Sequence, residues 1–480
     1  MEINIDFSQI SAGNPLQVAW WFLANGGWLI FTVVFVWGVI QFWLVRQRSR
    51  YFARWDWVIL SISVPKINQQ APRAVEYVFT ALSGAWKRID WIERYLTGKV
   101  QVSFSFEIIS RAGSIEFLAR TPRHYRDLVE AAVYAQYPDA EIAEVPDYVE
   151  RFHGLRWPHH DQGWDIWGTE IVLRNSHFYP IRTWQELFEA ANKTQDTAAK
   201  DPLSSILEIM AKLRAGEEFW FQIVVTPTND KWKNEGKRFV RDLMTGHGGH
   251  GRGVRHSLLT PLHRAFLEIL DMVVYSLVAK PEIEETEHAV ADLLPQEQEV
   301  LKKIQLKIGK IGFHTYMRAV YIARKEIFQK TKIKEGFLGA LHQYTDLHSN
   351  GFIQEKYSKV STSHLYFFPK YRVEHFRKNG MLHEYLTRNT RAGASWGTGF
   401  ILNVEELASL WHFPIGSMKA LVLKKAEFKK AEAPFGLPME RDETLLELMA
   451  GHGTDGAAHH EPEEVMVEED SGPPDNLPTD

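Results

Sequence analysis

The stretch VQVSFSFEIISRAGSIEFLARTPRHYRDLVEAAVYAQYPDAEIAEV, Val100 to Val145, decides the fold class of this chain. Val102, Phe104, Phe106 and Ile108 alternate with period two, Gly113 supplies a turn, and Ile115, Phe117 and Ala119 alternate again, so the segment opens as a β-hairpin. Thr121 and Pro122 then stand as N-cap and first residue of a helix whose stripe runs through Tyr125, Leu128, Val129, Ala132, Val133 and Gln136. Pro138 stops that helix, and Ala140 to Val145 returns as a strand. Upstream, Trp57 to Val64 alternates with Val58, Leu60, Ile62 and Val64 on one face and Pro65 at its end. A helix follows from Pro72, with Val75, Val78, Phe79, Leu82 and Trp86 at helical spacing.

The order β-α-β-β-α-β is the ferredoxin-like split βαβ unit, placed at residues 51–150. It recurs over residues 165–360. Glu170 to Asn175 is a strand, Asp201 and Pro202 cap a helix with Leu203, Ile206, Leu207, Met210 and Leu213 inward, and Phe219 to Val225 is an apolar strand. Phe313 to Ile322, Lys325 to Tyr344 and Gly351 to Tyr357 complete the second unit as strand, helix and strand. Between its central strands lies an insertion, residues 228–310, helical around Pro261 to Ala279 and Gln296 to Lys307, with a Gly/His loop from Thr245 to His256. The expectation is an α+β chain with two tandem ferredoxin-like domains.

No charged side chain occurs from Phe7 to Val45, and Arg46, Arg48, Arg50 and Arg54 follow at once. Gly27 to Val45 approaches the ~20 residues that a helix needs to cross hydrocarbon. Residues 1–50 are therefore expected to form an interfacial helix, Pro15 to Leu23, and one transmembrane anchor carrying Trp28, Phe31, Val34, Phe35, Trp37, Phe42 and Trp43. The four arginines imply, by the positive-inside rule, an N-terminus outside the inner membrane and a cytoplasmic C-terminus. A cleaved signal fits less well, because Met1 to Val45 lacks a basic start and an Ala-x-Ala-like exit.

With no cysteine in 480 residues, disulfides, thiolate nucleophiles and cysteine metal sites are excluded. The net charge of −5 conceals a division: Glu440 to Asp480 holds thirteen acids against Arg441 alone, so residues 1 to 439 are mildly basic at +7. The tail, 439–480, is Pro-, Gly- and Glu-rich and is expected to be disordered. Before it, residues 361–438 form an extension with a short helix at 403–411, opened by Asn403 with Glu406 in capping-box position, and Leu407, Leu410 and Trp411 line one face as a candidate docking surface.

Candidate chemistry is sparse. Gly98-Lys99, Gly236-Lys237 and Gly309-Lys310 are followed by Val, Arg and Ile, so no phosphate-cradling G-x-x-x-x-G-K-[ST] exists. The cluster Gly393, Gly397 and Gly399 around Trp396 lacks a lysine and is expected to be a loop. His247, His250 and His256 match no fixed metal spacing, and His159 with His160 is expected in an exposed loop, as are His452, His459 and His460 in the tail. The acid pairs Glu217-Glu218, Glu284-Glu285 and Glu405-Glu406 are expected on solvated faces. No H-E-x-x-H helix or RNP1 string occurs, no catalytic residue, metal or cofactor is assigned, and RNA binding is not expected.

The element order, with WVILSISVP (Trp57 to Pro65), EFLARTPRHYRDLVEAAVYAQYPDAEI (Glu116 to Ile142) and NVEELASLWHFP (Asn403 to Pro414), resembles the membrane-anchored N-terminal region of coupling-protein-like ATPases of type IV secretion systems, in the versions of candidate-phyla bacteria. The resemblance covers roughly residues 25 to 440. In members with a motor, a P-loop ATPase domain follows the segment matching Asn403 to Pro438, where this chain has its acidic tail, so the resemblance implies no ATPase activity here. It implies a non-enzymatic subunit or adaptor of a type IV secretion or pilus-like machine, touching the bilayer and assembling with itself or with a separate ATPase. Two other readings are a membrane-tethered metal-dependent enzyme using the His-bearing insertion and a protein associating with lipid or nucleic acid through its basic body.

Overall fold

The computed structural model describes residues 28–65, 70–158, 163–193, 201–244, 294–355, 360, 370–388, 390 and 399–414. Met1–Ala426 forms one compact unit, and the second, Glu427–Asp480, lies wholly outside the described residues. So do the interfacial helix, the helix expected at Pro261 to Ala279, the Gly/His loop, His159 and His160, Glu284-Glu285, Gly393 and Gly397, and the acidic tail.

Among the described residues nine strands make one sheet: β1 (Trp57–Ser63), β2 (Phe104–Arg111), β3 (Ser114–Pro122), β4 (Glu141–Val145), β5 (Trp164–Leu173), β6 (Glu217–Pro227), β7 (Gly312–Arg324), β8 (Phe352–Gln354) and β9 (Phe400–Asn403). The order is β4-β1-β3-β2-β6-β7-β5-β8, with β9 added to β7, and every pairing is antiparallel. The expectation of two separate tandem domains is therefore corrected. β2 pairs with β6 from Phe104↔Val225 to Arg111↔Glu218, so the two halves join edge to edge in a continuous sheet. The physical reason is that both strands are buried on both faces, which leaves neither able to serve as a solvated edge.

One face is covered by helices from both halves. Ahead of them in the chain stands α1 (Trp28–Phe52); α2 (Arg73–Ser83) buries Val75, Val78, Phe79 and Leu82, and α3 (Arg126–Tyr134) buries Val129, Ala132 and Val133, as their spacing predicts, whereas Trp86 lies exposed past the end of α2 and Thr121 and Pro122 end β3 instead of capping α3. In the second half α4 (Trp184–Lys193) precedes α5 (Ser204–Ala211), which buries Ile206, Leu207 and Met210. The insertion contributes α6 (Lys231–Met244) and α7 (Pro295–Gly309), which close a satellite cluster of Trp232, Val240, Leu301, Ile304 and Ile308 around Phe178. Next comes α8 (Lys330–Leu341), whose Phe337 meets Phe219 at 5.0 Å. The opposite face of the sheet carries α9 (Lys370–Thr387), an element with no sequence expectation, whose Tyr385 packs 5.3 Å from Trp220. Last is α10 (Val404–Leu410), opened by the expected capping box: Glu406 N–H donates to Asn403 Oδ1 at 2.9 Å and Asn403 N–H to Glu406 Oε2 at 3.0 Å.

The transmembrane anchor is also corrected. Among the described residues no helix is long and apolar enough to cross a membrane. The uncharged part of α1, Trp28 to Val45, falls short of ~20 residues, and the helix runs without a break into Arg46, Arg48 and Arg50. Its last turns lie against the body rather than leading away from it: Arg48 is half-buried beside Arg94 and Tyr95 of the short π-helix Glu93–Thr97. Single-pass insertion in the inner membrane, with the topology inferred from Arg46, Arg48, Arg50 and Arg54, is accordingly not supported. Trp28, Phe31, Val34, Phe35, Phe42 and Trp43 remain exposed along α1, and Trp37 is half-buried.

Gly98 fixes where α1 docks. It sits at φ +70°, and a Cβ there would lie 2.5 Å from the Gln47 carbonyl carbon and 2.7 Å from Arg48 N, both backbone atoms that cannot swing aside. Gly98→Ala is therefore expected to displace the end of α1, costing more than the roughly 1–2 kcal/mol of the left-handed conformation alone. Hydrogen exchange provides the check, with protection falling over residues 44–52 and unchanged in β2 and β6. Equal protection of 44–52 in both proteins would show that this contact does not hold the helix.

Candidate functional site

Four largely buried strands each carry a charged residue or a carboxamide at mid-length: Glu107 in FSFEIIS, Gln222 in FWFQIVV, Arg318 in TYMRAVY and Glu170 in WGTEIVL. The register places them side by side. Glu107 pairs with Gln222 across β2 and β6, Gln222 with Arg318 across β6 and β7, and Arg318 with Glu170 across β7 and β5. Directly opposed residues share a face, so the four form one polar row across the centre of the sheet. Arg318 Nε donates to Glu170 at 3.0 Å and its Nη1 to Gln222 Oε1 at 3.3 Å, while Gln222 Nε2 donates to Glu107 at 3.1 Å.

α9 and the segment after β4 close over this row. Arg388, just past α9, forks onto Glu107 (Nε 2.8 Å, Nη2 3.2 Å) and onto Asp147 (Nη1 2.7 Å, Nη2 3.0 Å). Tyr148 donates to Glu107 at 2.7 Å, its oxygen lies 2.8 Å from that of Tyr385, and Ser105 donates to Glu107 at 2.6 Å. Glu107, Gln222 and Arg318 have no exposed surface, and Arg388 is 4% exposed. Arg388 also holds φ +49°, a conformation unfavourable for a side chain other than glycine. Its Nη1, Nη2 and Nε contacts are what keep it there.

The electrostatics follow from this enclosure. Burial by itself would raise the Glu107 carboxyl, but Arg388 and the hydrogen bonds from Arg388, Ser105 and Tyr148 outweigh it and hold the group down at about 2. Burial also pushes the Tyr148 and Tyr385 hydroxyls well up, with Glu107 adding to both, so they remain donors. The Arg388 guanidinium is driven well up by Glu107, Tyr148 and Asp147 against the opposing effect of burial. On the same face Arg120 lies 3.9 Å over the Trp57 ring, and burial followed by repulsion from Arg388 lowers it to about 9.

A second charged layer ties the insertion and α10 to the body. Lys307 of α7 reaches Glu406 at 2.9 Å with both side chains buried, and Ile181 N–H donates to the same Oε1 at 3.0 Å. Burial lowers the Lys307 ammonium, a tendency opposed by Glu406. Glu405 accepts from Thr183 at 2.5 Å and from Lys310, and Ser409 Oγ accepts from Trp184 N–H at 2.9 Å.

Two of the acid pairs expected on solvated faces, Glu217-Glu218 and Glu405-Glu406, are thus buried, and Glu284-Glu285 lies outside the described residues. Glu217 accepts from Tyr321 at 2.6 Å, Glu218 from Arg151 and from Trp220 Nε1 at 3.1 Å, and Glu405 and Glu406 lie in the layer just described. The candidate docking residues Leu407, Leu410 and Trp411 are 0–1% exposed and belong to the core, so their faces are taken up within the chain. Among the described residues no grouping of His, Asp and Glu could hold a metal ion. The clue to the polar row was present in the sequence as a charged residue or carboxamide at the middle of each of four largely apolar strands, but only the register aligns them.

No curated protein matches the chain. A family model described as a domain of unknown function, DUF8128, matches residues 64–425, from just past β1 through α10 and beyond. That span takes in the polar row, Arg388 and the Lys307–Glu406 layer, and so the chain belongs to the DUF8128 family.

Proposed function

We propose that the protein is a non-enzymatic subunit or adaptor of a type IV secretion or pilus-like apparatus that assembles with, or docks, a separate ATPase. The three strings on which the resemblance rests support this reading by their place in the fold. WVILSISVP is β1, Glu116 to Ile142 spans β3, α3 and the start of β4, and NVEELASLWHFP is α10 with its flanks. They meet in one core, where β1 pairs with β3, Trp411 lies 5.9 Å from Phe117, and Phe413 lies 5.0 Å from Tyr137. The resemblance therefore concerns one three-dimensional body rather than scattered segments.

The carrying observation is the closure of the Glu107–Arg388 cluster. Glu107, Arg388, Arg318 and Glu170 at the sheet centre are buried, each held by an oppositely charged partner across the fold, an arrangement that fixes shape and leaves recognition to the outer surface. Mixing the purified full chain with a purified type IV secretion ATPase from the same organism, followed by size-exclusion chromatography with light scattering, tests the proposal. Co-elution at the mass of a defined complex is the expected result. Elution of each protein at its own mass would sink the docking role.

A further inference from the structure

Where the end of α1 meets the first half of the sheet, a pocket of about 130 Å³ opens between Tyr51, Trp55, Lys87, Lys99, His124 and Tyr125. One wall is aromatic, and Ala85, Ile89, Val100 and Val102 add aliphatic lining. Tyr51 and Trp55 stand 5.5 Å apart edge to face, Trp55 lies 5.9 Å from His124, and His124 lies 4.4 Å from Tyr125. The volume is close to the roughly 150 Å³ of a cavity that accepts a benzene ring.

The charges at its rim are not equivalent. The Lys99 ammonium is already compensated by Glu93 at 2.7 Å. Lys87 forms no ion pair among the described residues; its Nζ lies 5.6 Å from the centre of the Tyr125 ring. The Lys87 backbone is fastened from the other side, since the Gln101 carboxamide, in the orientation that satisfies both of its ends, accepts from Lys87 N–H at 2.7 Å and donates to Lys87 O at 3.0 Å. A fixed backbone thus presents one uncompensated ammonium beside a ring-sized aromatic pocket.

We propose that this pocket binds a small aromatic carboxylate, its single ring among Trp55, His124 and Tyr125 and its carboxylate against Lys87. One uncompensated ammonium matches one negative charge, whereas a phosphate dianion favours the forked donors of arginine or a helix N-terminus, which this rim lacks. Because Tyr51 and Trp55 come from α1 and its exit while Lys87, His124 and Tyr125 come from the sheet unit, the ligand bridges the two and tightens the docking that Gly98 permits.

Benzoate is the probe, titrated into the full chain and followed by saturation-transfer NMR of its ring protons. Saturable binding is expected, weakened about tenfold or more both by Lys87→Gln and by replacing benzoate with benzyl alcohol, the size of effect for a hydrogen bond to a charged group. Lys87 is exposed, so the variant is expected to keep the fold, and an unchanged thermal midpoint verifies this. Inorganic phosphate in excess should leave the benzoate signal in place. Non-saturable binding, equal affinity in Lys87→Gln, equal affinity for benzyl alcohol, or displacement by phosphate would each overturn the proposal.

Discussion

Replacing Arg388 by methionine is expected to destabilise the protein by about 3–5 kcal/mol, the range for removing one partner of a buried ion pair. Among the described residues the Arg388 guanidinium is the one cation hydrogen-bonded to both Glu107 and Asp147, through four bonds of 2.7–3.2 Å. Methionine fills a similar volume but leaves Glu107, which has no exposed surface, with only the neutral donors Ser105, Tyr148 and Gln222. Relief of the left-handed backbone cannot compensate, because methionine has a Cβ as arginine does. A fall in the thermal midpoint of roughly 10 °C or more should be seen by calorimetry. A change within about 0.5 kcal/mol, as for an ordinary surface site, would show that the cluster does not join the two halves of the sheet.

The pH profile gives this prediction a second readout. Glu107 is held at about 2 instead of its usual 4.5, so its folded value is depressed. The associated stability is then fully present above pH 4.5 and is lost as pH falls towards 2, a contribution of about 3 kcal/mol. Without Arg388, burial is the main remaining influence on Glu107 and raises it, so Arg388→Met should lack this acid-side loss and show its deficit mainly above pH 4.5. The double variant Arg388→Met with Glu107→Gln should recover part of the deficit, since the buried charge is then gone. Additive effects of the two changes would mean the pair is not coupled.

Much of the sheet was legible because its strands obey simple alternation. β1, β3 and the stripes of α2 and α3 stand where period two and period 3.6 put them, and Asn403 with Glu406 forms the box its spacing implies. The union of β2 with β6 was not legible, because pairing between strands separated by more than a hundred residues leaves no local signature. Helix α9 was missed for a related reason. Its sequence, KYRVEHFRKNGMLHEYLT, is polar on most sides, and it is anchored by Lys378 to Asp165 at 2.7 Å and by Tyr385 and Arg388 to the polar row rather than by a continuous apolar stripe. The acid pairs misled in the opposite direction. Glu217-Glu218 and Glu405-Glu406 look solvated in one dimension, yet their partners Arg151, Tyr321, Lys307 and Lys310 arrive from distant positions in the chain.

Truncation of Trp411 to alanine is expected to cost about 3–5 kcal/mol, the range for emptying a large aromatic site in a packed core. Trp411 is 1% exposed and stands 4.9 Å from Phe106, 5.9 Å from Phe117 and 5.2 Å from Phe413, so it joins α10 to β2 and β3 in one aromatic cluster. The aromatic edges it meets contribute beyond the area it buries, which is why Trp411→Phe should recover a large part of the loss while leaving a smaller cavity. Leu347, 82% exposed, is the matching control, and Leu347→Ala should move stability by no more than about 0.5 kcal/mol. Urea unfolding distinguishes a core role from a docking role. In the core, the midpoint of Trp411→Ala falls with the slope unchanged. If Trp411 instead anchored a partner, the isolated chain would unfold at the wild-type midpoint and only complex formation would suffer, an outcome that its near-complete burial argues against.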